Sequence, residues 1–430
     1  MKMNKLLIIW IWFMAVEARD TKMLLLFTRH GARYSNNDIE IPSQKGMLTE
    51  VGLRMGYELG RYIKTKFNDF ISNQIDIQRT TAISSGIDRA RQYLQAVMMG
   101  IFDLGSLNYP VEGIQTFREP EWEGFKSNEK FNTALPQGYQ PVPVKSYYSK
   151  DNYVFAPFNQ DICPAIVSKL SKNASQVEEM NNLVRAILPK IKNEWDYTTI
   201  VPNVSDYADL YHIFDYIVSK KFMGIQLVSE KLFNQITILV SMSALTTYDD
   251  KELIAFFTSE LNKLMIGFLE DVKKGLQNNT SNYQNLVVMG GQELNFLFFY
   301  KQLGFTSYKC LLKKYLAENQ EFCPGLPEFN SSFYFEVYTE SGENYVDFVL
   351  NGVQRPFCKT QTQNKCTLDA TITRFKGLVL PLSHNDLMAK HCKLPPNNSN
   401  NQLFAMFLFN IVAMVVIYKL TDLVKRRPNS

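Results

Sequence analysis

Arg29-His30-Gly31-Ala32-Arg33 puts two guanidiniums and an imidazole within one short loop, directly behind the apolar run 23–28. A run of that kind reads as a strand buried on both faces of a parallel sheet. Two further strand-like runs end in polar clusters: 75–78, followed by Arg79-Thr80-Thr81, and 286–289, followed by Gly290-Gly291-Gln292-Glu293. Open α/β sheets bind ligands beyond the carboxyl ends of their strands, so parallel pairing would bring the three clusters to one rim. Guanidiniums gathered around an imidazole repel one another, and a phosphate resolves that repulsion by accepting bidentate, charge-assisted hydrogen bonds. In such a site His30 is the candidate nucleophile. Arg29, Arg33 and Arg79 would stabilise the equatorial phosphate oxygens, Gln292 would add an N–H donor, and Glu293 would protonate the leaving alkoxide. Nearby cations would also depress the His30 pKa and keep its ring nitrogen available in mild acid.

The elements needed to hold these groups are legible around them. Residues 48–62 show helical periodicity, with Thr49 as the cap and Val51, Met55, Leu59 and Tyr62 as the expected inner face. Helical signals continue at 87–102, 209–223 and 252–273, and 333–338 with 345–350 flank a turn at Ser341-Gly342 as a hairpin. The fold class expected is α/β, a mixed, mainly parallel sheet with helices on both faces. Residues 19–119 and 281–395 would form the core, and 120–280 a mostly helical cap insert.

The chain has 430 residues, 46% hydrophobic and 20% charged, a composition that excludes disordered, collagenous and heptad-repeat classes. Its formal charge of +4 belongs to the ends, because without residues 1–18 and 403–430 the acidic and basic side chains balance. A neutral body lacks the cationic surplus of a nucleic-acid binder. Lys2 and Lys5 before the apolar run 6–16 read as a signal peptide over 1–18. The apolar segment 403–420 reads as a short transmembrane helix, with Lys425, Arg426 and Arg427 in a cytoplasmic tail over 421–430 and the body in a lysosome-like lumen or at the cell surface. A lipid-anchor signal is the second choice, since such signals end in their apolar tail. The even count of 6 Cys suits disulfides in an oxidising compartment. Spacing does not fix their connectivity; one arrangement pairs Cys358 with Cys366, Cys310 with Cys323, and Cys163 with Cys392. Glycosylation sequons at Asn173, Asn203, Asn278, Asn279, Asn330 and Asn397 fit the same compartment.

These residues resemble the histidine acid phosphatases, branch two of the histidine phosphatase superfamily. The resemblance rests on Arg29-His30-Gly31-Ala32-Arg33 behind a strand, on Leu48-Thr49-x-x-Gly52 with Leu59-Gly60-x-Tyr62, and on Arg79-Thr80-Thr81 as the family's second phosphate-binding arginine. Asp88-Arg89 with the helix behind it is also similar, although about four extra residues separate it from Arg79. The resemblance implies a phosphohistidine on His30, hydrolysis of a small phosphomonoester or phosphorylated protein, and no metal or other cofactor. It leaves a homodimer open. Two departures stand out. Gln292-Glu293 occupies the place of the family's histidine and acidic proton donor, and Ser35 stands where proline is usual. Loss of an oxyanion donor typically costs about 10² to 10³ in rate, so a catalytically weakened relative that binds phosphorylated ligands is the rival reading. A structural surface glycoprotein is the third. His384-Asn385-Asp386 is a minor alternative for the missing pair, and His212 and His391 read as ordinary histidines.

Overall fold

The computed structural model describes residues 19–104, 137, 139–147, 152–156, 163–165, 174–248, 250–317, 322–358 and 365–392. The expected signal peptide and the segment 403–420 lie outside them. No helix among the described residues is long and apolar enough to cross a membrane, so the expected single-pass placement is not supported.

The sheet order is β3-β2-β4-β1-β5-β6-β7, with β8 beside β6. Strands β1 (Asp20–Arg29), β2 (Thr80–Ser84), β3 (Val144–Ser146) and β4 (Leu286–Gly291) pair in parallel. Strands β5 (Ser332–Glu340), β6 (Glu343–Leu350), β7 (Val353–Arg355) and β8 (Cys366–Thr367) extend the sheet in antiparallel fashion. The β5–β6 turn is made by Ser341 and Gly342, both with positive φ, the geometry a tight hairpin requires. Alternation along β1 separates the two cores. Leu25 and Phe27 enter an aromatic cluster with Phe296, Phe299, Phe333 and Phe335, whereas Leu24 and Leu26 meet the helices α1 (Glu50–Lys66) and α2 (Asp88–Ile101). The fold is thus a mixed sheet, parallel at its centre, flanked by helices.

Further helices are α3 (Ala174–Glu194), α4 (Leu210–Phe222), α5 (Glu230–Thr247), α6 (Lys251–Gln277), α7 (Glu293–Leu303), α8 (Tyr308–Tyr315), α9 (Leu368–Lys376) and α10 (His384–His391). Helices α3, α4 and α5 share a separate apolar cluster with Leu297 and Leu311. Helix α6 instead sends Leu261, Met265, Leu269 and Val272 into the core under the sheet. The disulfides are Cys163–Cys392, Cys310–Cys323 and Cys358–Cys366.

The inner face of α1 differs from the one its large residues suggest. Val51 and Tyr62 are exposed, and the buried stripe is Gly52, Gly56, Leu59, Gly60 and Ile63. Glycine carries the stripe because the backbones touch: a Cβ on Gly52 would sit 2.1 Å from the Ala32 carbonyl oxygen, and one on Gly31 2.4 Å from the Gly52 oxygen. The Thr49 hydroxyl accepts from Gly52 N–H and donates to the Ala32 carbonyl, so the helix cap and the loop behind β1 form one unit.

In the antiparallel part of the sheet, the cross-strand partners Glu336 and Asp347 are both buried and are held by Arg19, whose guanidinium lies 2.7 and 2.8 Å from them. Burial pushes the Glu336 carboxyl up despite Arg19. A carboxyl raised in this way favours the folded state below its ordinary pKa, and that contribution is lost as pH rises through the raised value. Arg19→Ala is therefore expected to cost on the order of 2 to 3 kcal/mol at pH 7, less than breaking a fully buried pair because Arg19 is partly exposed, and far less at pH 4. Urea denaturation at the two pH values measures the difference; equal losses would contradict it.

Candidate active site

The register builds the rim. Thr28 and Ser84 both pair with Gly290, so β1, β2 and β4 end at one level and deliver His30, Ser85 and Gln292 side by side. Gln292 caps α7, receiving its position from Asn295, whose Oδ1 accepts the Gln292 backbone N–H at 2.8 Å. Glu293 is the first residue of that helix, where a carboxylate is favoured by the helix dipole.

His30 is 1% exposed. Its Nδ1 lies 2.8 Å from the Gly31 carbonyl oxygen, so Nδ1 carries the hydrogen and Nε2 the lone pair. Nε2 accepts from Arg89 Nε–H at 3.1 Å. Burial first, then Arg89, Arg29 and Arg33, holds the imidazole well below the usual histidine range. The ring stays neutral, the form a nucleophile needs.

Three arginines surround it. Arg29 is buried over the Phe329 ring, donates to the Pro327 carbonyl and approaches Glu293 Oε2 at 3.4 Å. Arg33 is 1% exposed and donates to Asp215 on α4 and to the Tyr34 carbonyl. The third is Arg89, at the start of α2, which also reaches Gln292 Oε1 and the Gly46 carbonyl at 3.4 Å each. Burial and the neighbouring Arg33 lower its guanidinium to about 10, still charged from acid to neutral pH. The Nε–H groups of Arg29 and Arg33 and Oε2 of Glu293 are buried with no hydrogen-bond partner among the described residues. Buried donors left over in this way suit an anion.

Arg79 is not among them. It precedes β2 at the end where Thr80 pairs with Leu286, so about 16 Å of strand separates it from the rim, and it lies near the Tyr283 ring. The expected strand 75–78 is a turn, with Asp76 accepting from Gln78 N–H and Ile77 57% exposed. The strand begins five residues later, and its continuation through Ser85 brings Arg89 to the place expected of Arg79.

Glu293 is pushed up by burial, yet Arg29 and Arg33 prevail and hold it well below the usual carboxylate range. Its Oε1 accepts from the Tyr211 hydroxyl at 3.0 Å. Gln292 Nε2–H donates to Ser85 Oγ at 3.2 Å. Asp215 also accepts from Ser35 Oγ–H at 2.6 Å and from Asn36 N–H at 2.9 Å, which ties the loop after β1 to α4. Ser35 thus has a buried hydrogen bond where a proline would have none. Ser85, Tyr211 and Asp215 escaped the sequence reading; Arg89 entered it only as part of the Asp88-Arg89 resemblance, with the phosphate-binding role given to Arg79 instead, although an arginine at a helix start behind Ser84-Ser85-Gly86 was the signal.

Other sequence candidates lie elsewhere. Helix α10, which begins at His384, packs through Leu387 with Phe256 and Phe257, and the His391 ring stacks on Phe256. His212 is exposed beside Asn37. The sequon Asn330 is committed to structure: its Oδ1 accepts from the Tyr93 hydroxyl and its N–H donates to the His30 carbonyl. Among the described residues no group of His, Cys, Asp or Glu could hold a metal ion.

No family model matches the chain. It is 22% identical to prostatic acid phosphatase of Bos taurus over 86% of this chain and 87% of that protein. A venom acid phosphatase of Apis mellifera is 21% identical over 77% of each, and lysosomal acid phosphatase of Bos taurus 19% identical over 94% and 89%. Among solved structures, a Klebsiella phytase superposes with a TM-score of 0.53 at 11% identity, covering 88% of this chain and 100% of that one. The phytase of D. castellii gives 0.52 at 13%, covering 87% and 83%. At such identity the superpositions show the shared fold alone. The fold and the acid phosphatase relatives spanning most of the chain support the histidine acid phosphatase family.

Proposed function

We infer that this chain, a phosphatase by its likeness to named acid phosphatases, hydrolyses phosphate monoesters in acid through a phosphohistidine on His30. The observation that carries this reading is the buried neutral imidazole, its Nδ1 pinned and its Nε2 turned toward Arg89. In the first step the bound phosphate takes over the Arg89 Nε–H, and the freed Nε2 lone pair attacks phosphorus in line. The P–O ester bond breaks with its electron pair moving to the leaving oxygen, which takes a proton from Glu293. Arg29, Arg33 and Arg89 bind the equatorial oxygens. In the second step the Glu293 carboxylate takes a proton from water, the water oxygen attacks phosphorus, and the P–N pair returns to Nε2.

Glu293 acquires its proton through the substrate. Arg29, Arg33 and Arg89 against Glu293 and Asp215 leave one positive charge, and a phosphate dianion reverses that sign. The bound dianion therefore raises the Glu293 pKa toward the range where a carboxyl donates in mild acid. Hydrolysis of an aryl phosphate at pH 5 in the presence of chelator tests the reading; complete inactivity of the folded protein would overturn it.

One observation favours the rival, a chain that binds phosphorylated ligands with little turnover. The Gln292 amide is engaged with Ser85 and Arg89 and bears no titratable charge. Under that reading Gln292→His raises steady turnover at pH 5 by about 10² or more. Under the leading reading the same change has an effect of less than about tenfold, and it makes activity fall as the introduced imidazole loses its proton above about pH 6.5.

A further inference from the structure

We propose that Tyr211, carried on the cap helix α4, is the positioning residue of the proton donor, holding one oxygen of Glu293 so that the other serves the leaving group. The inference rests on the reading of Glu293 as that donor.

The two carboxylate oxygens are not equivalent. Oε1 accepts the Tyr211 hydroxyl at 3.0 Å, whereas Oε2 is buried with no hydrogen-bond partner among the described residues and lies 3.4 Å from Arg29 Nη2. The phenol is a fixed donor, because the neighbouring Glu293 charge and then burial push its pKa above the tyrosine range. With Oε1 occupied by a donor, a proton taken up by the carboxyl goes to Oε2, on the side of Arg29 and the phosphate.

Helix α4 is itself anchored to the site. Asp215, one turn beyond Tyr211 on the same helix face, binds Arg33, Ser35 and Asn36. Lys220, farther along, is buried against Glu40. A single helix therefore fixes the orientation of the proton donor and of one phosphate-binding arginine. A hydrogen bond to the ionised form also lowers a carboxyl pKa, so Tyr211 keeps Glu293 a stronger acid than it would be alone.

The test compares an alkyl ester, glycerol 2-phosphate, with 4-nitrophenyl phosphate, whose leaving group needs little protonation. The parameter is kcat/KM, which reports the step in which the leaving group departs. For Tyr211→Phe the alkyl value is expected to fall about 10- to 100-fold, less than the about 10² to 10⁴ of full general-acid catalysis because the carboxyl itself remains, and the aryl value less than about threefold. The basic limb of the pH profile moves to higher pH. Glu293→Gln, measured in parallel, should discriminate between the two esters at least as strongly. Equal loss on both esters, or no loss on either, in Tyr211→Phe while Glu293→Gln discriminates would overturn the inference alone. If Glu293→Gln fails to discriminate, the proton-donor reading falls and the inference with it.

Discussion

His30→Ala is expected to lower kcat/KM for any phosphate monoester by at least about 10⁴, because the proposed mechanism loses its nucleophile and nothing beside it can replace it. Its neighbours are guanidiniums, the Ser85 hydroxyl, the Gln292 amide and Glu293, and no second histidine is described at the rim. The arginines remain, so binding of inorganic phosphate should change less than about tenfold. Loss of turnover with retained phosphate affinity separates the attacking group from the binding groups. A variant that keeps more than about a hundredth of the activity would assign the attack to another residue.

Arg89→Ala and Arg79→Ala make the second comparison. Arg89 touches His30 Nε2 and Gln292, and under the proposed mechanism its loss removes one charged donor to the developing phosphorane, expected to cost about 10² to 10³ in kcat/KM. Arg89→Lys should recover little, because one ammonium cannot reproduce donors directed at once to His30, Gln292 and Gly46. Arg79, at the far end of β2, should tolerate alanine within about twofold, consistent with a strand rise of about 3.3 Å per residue between it and the rim. A reversed ranking would restore Arg79 to the site.

Much of this arrangement is written in the sequence, and the exceptions have physical causes. The strand 23–28, the cap at Thr49, the hairpin at Ser341-Gly342 and the group Arg29, His30, Arg33, Gln292 and Glu293 can be read because each leaves a local pattern. Arg79 misled because isoleucines at 75 and 77 imitate a strand, although Asp76 between them makes a turn and Ile77 faces solvent. The buried face of α1 misled for the opposite reason: close backbone contact selects glycine, which hydropathy does not register. Tyr211 and Asp215 reach the site from α4, more than 180 residues from Arg29 and His30, and no short-range pattern announces such a contact.

The most direct measurement is a rapid acid-free quench of the protein during hydrolysis of a ³²P-labelled monoester, followed by peptide mapping of any covalent phosphate. The account predicts acid-labile, alkali-stable label approaching one phosphate per chain, on the His30 peptide, absent in His30→Ala. Steady hydrolysis with no label on His30, or with label on another residue, would contradict it.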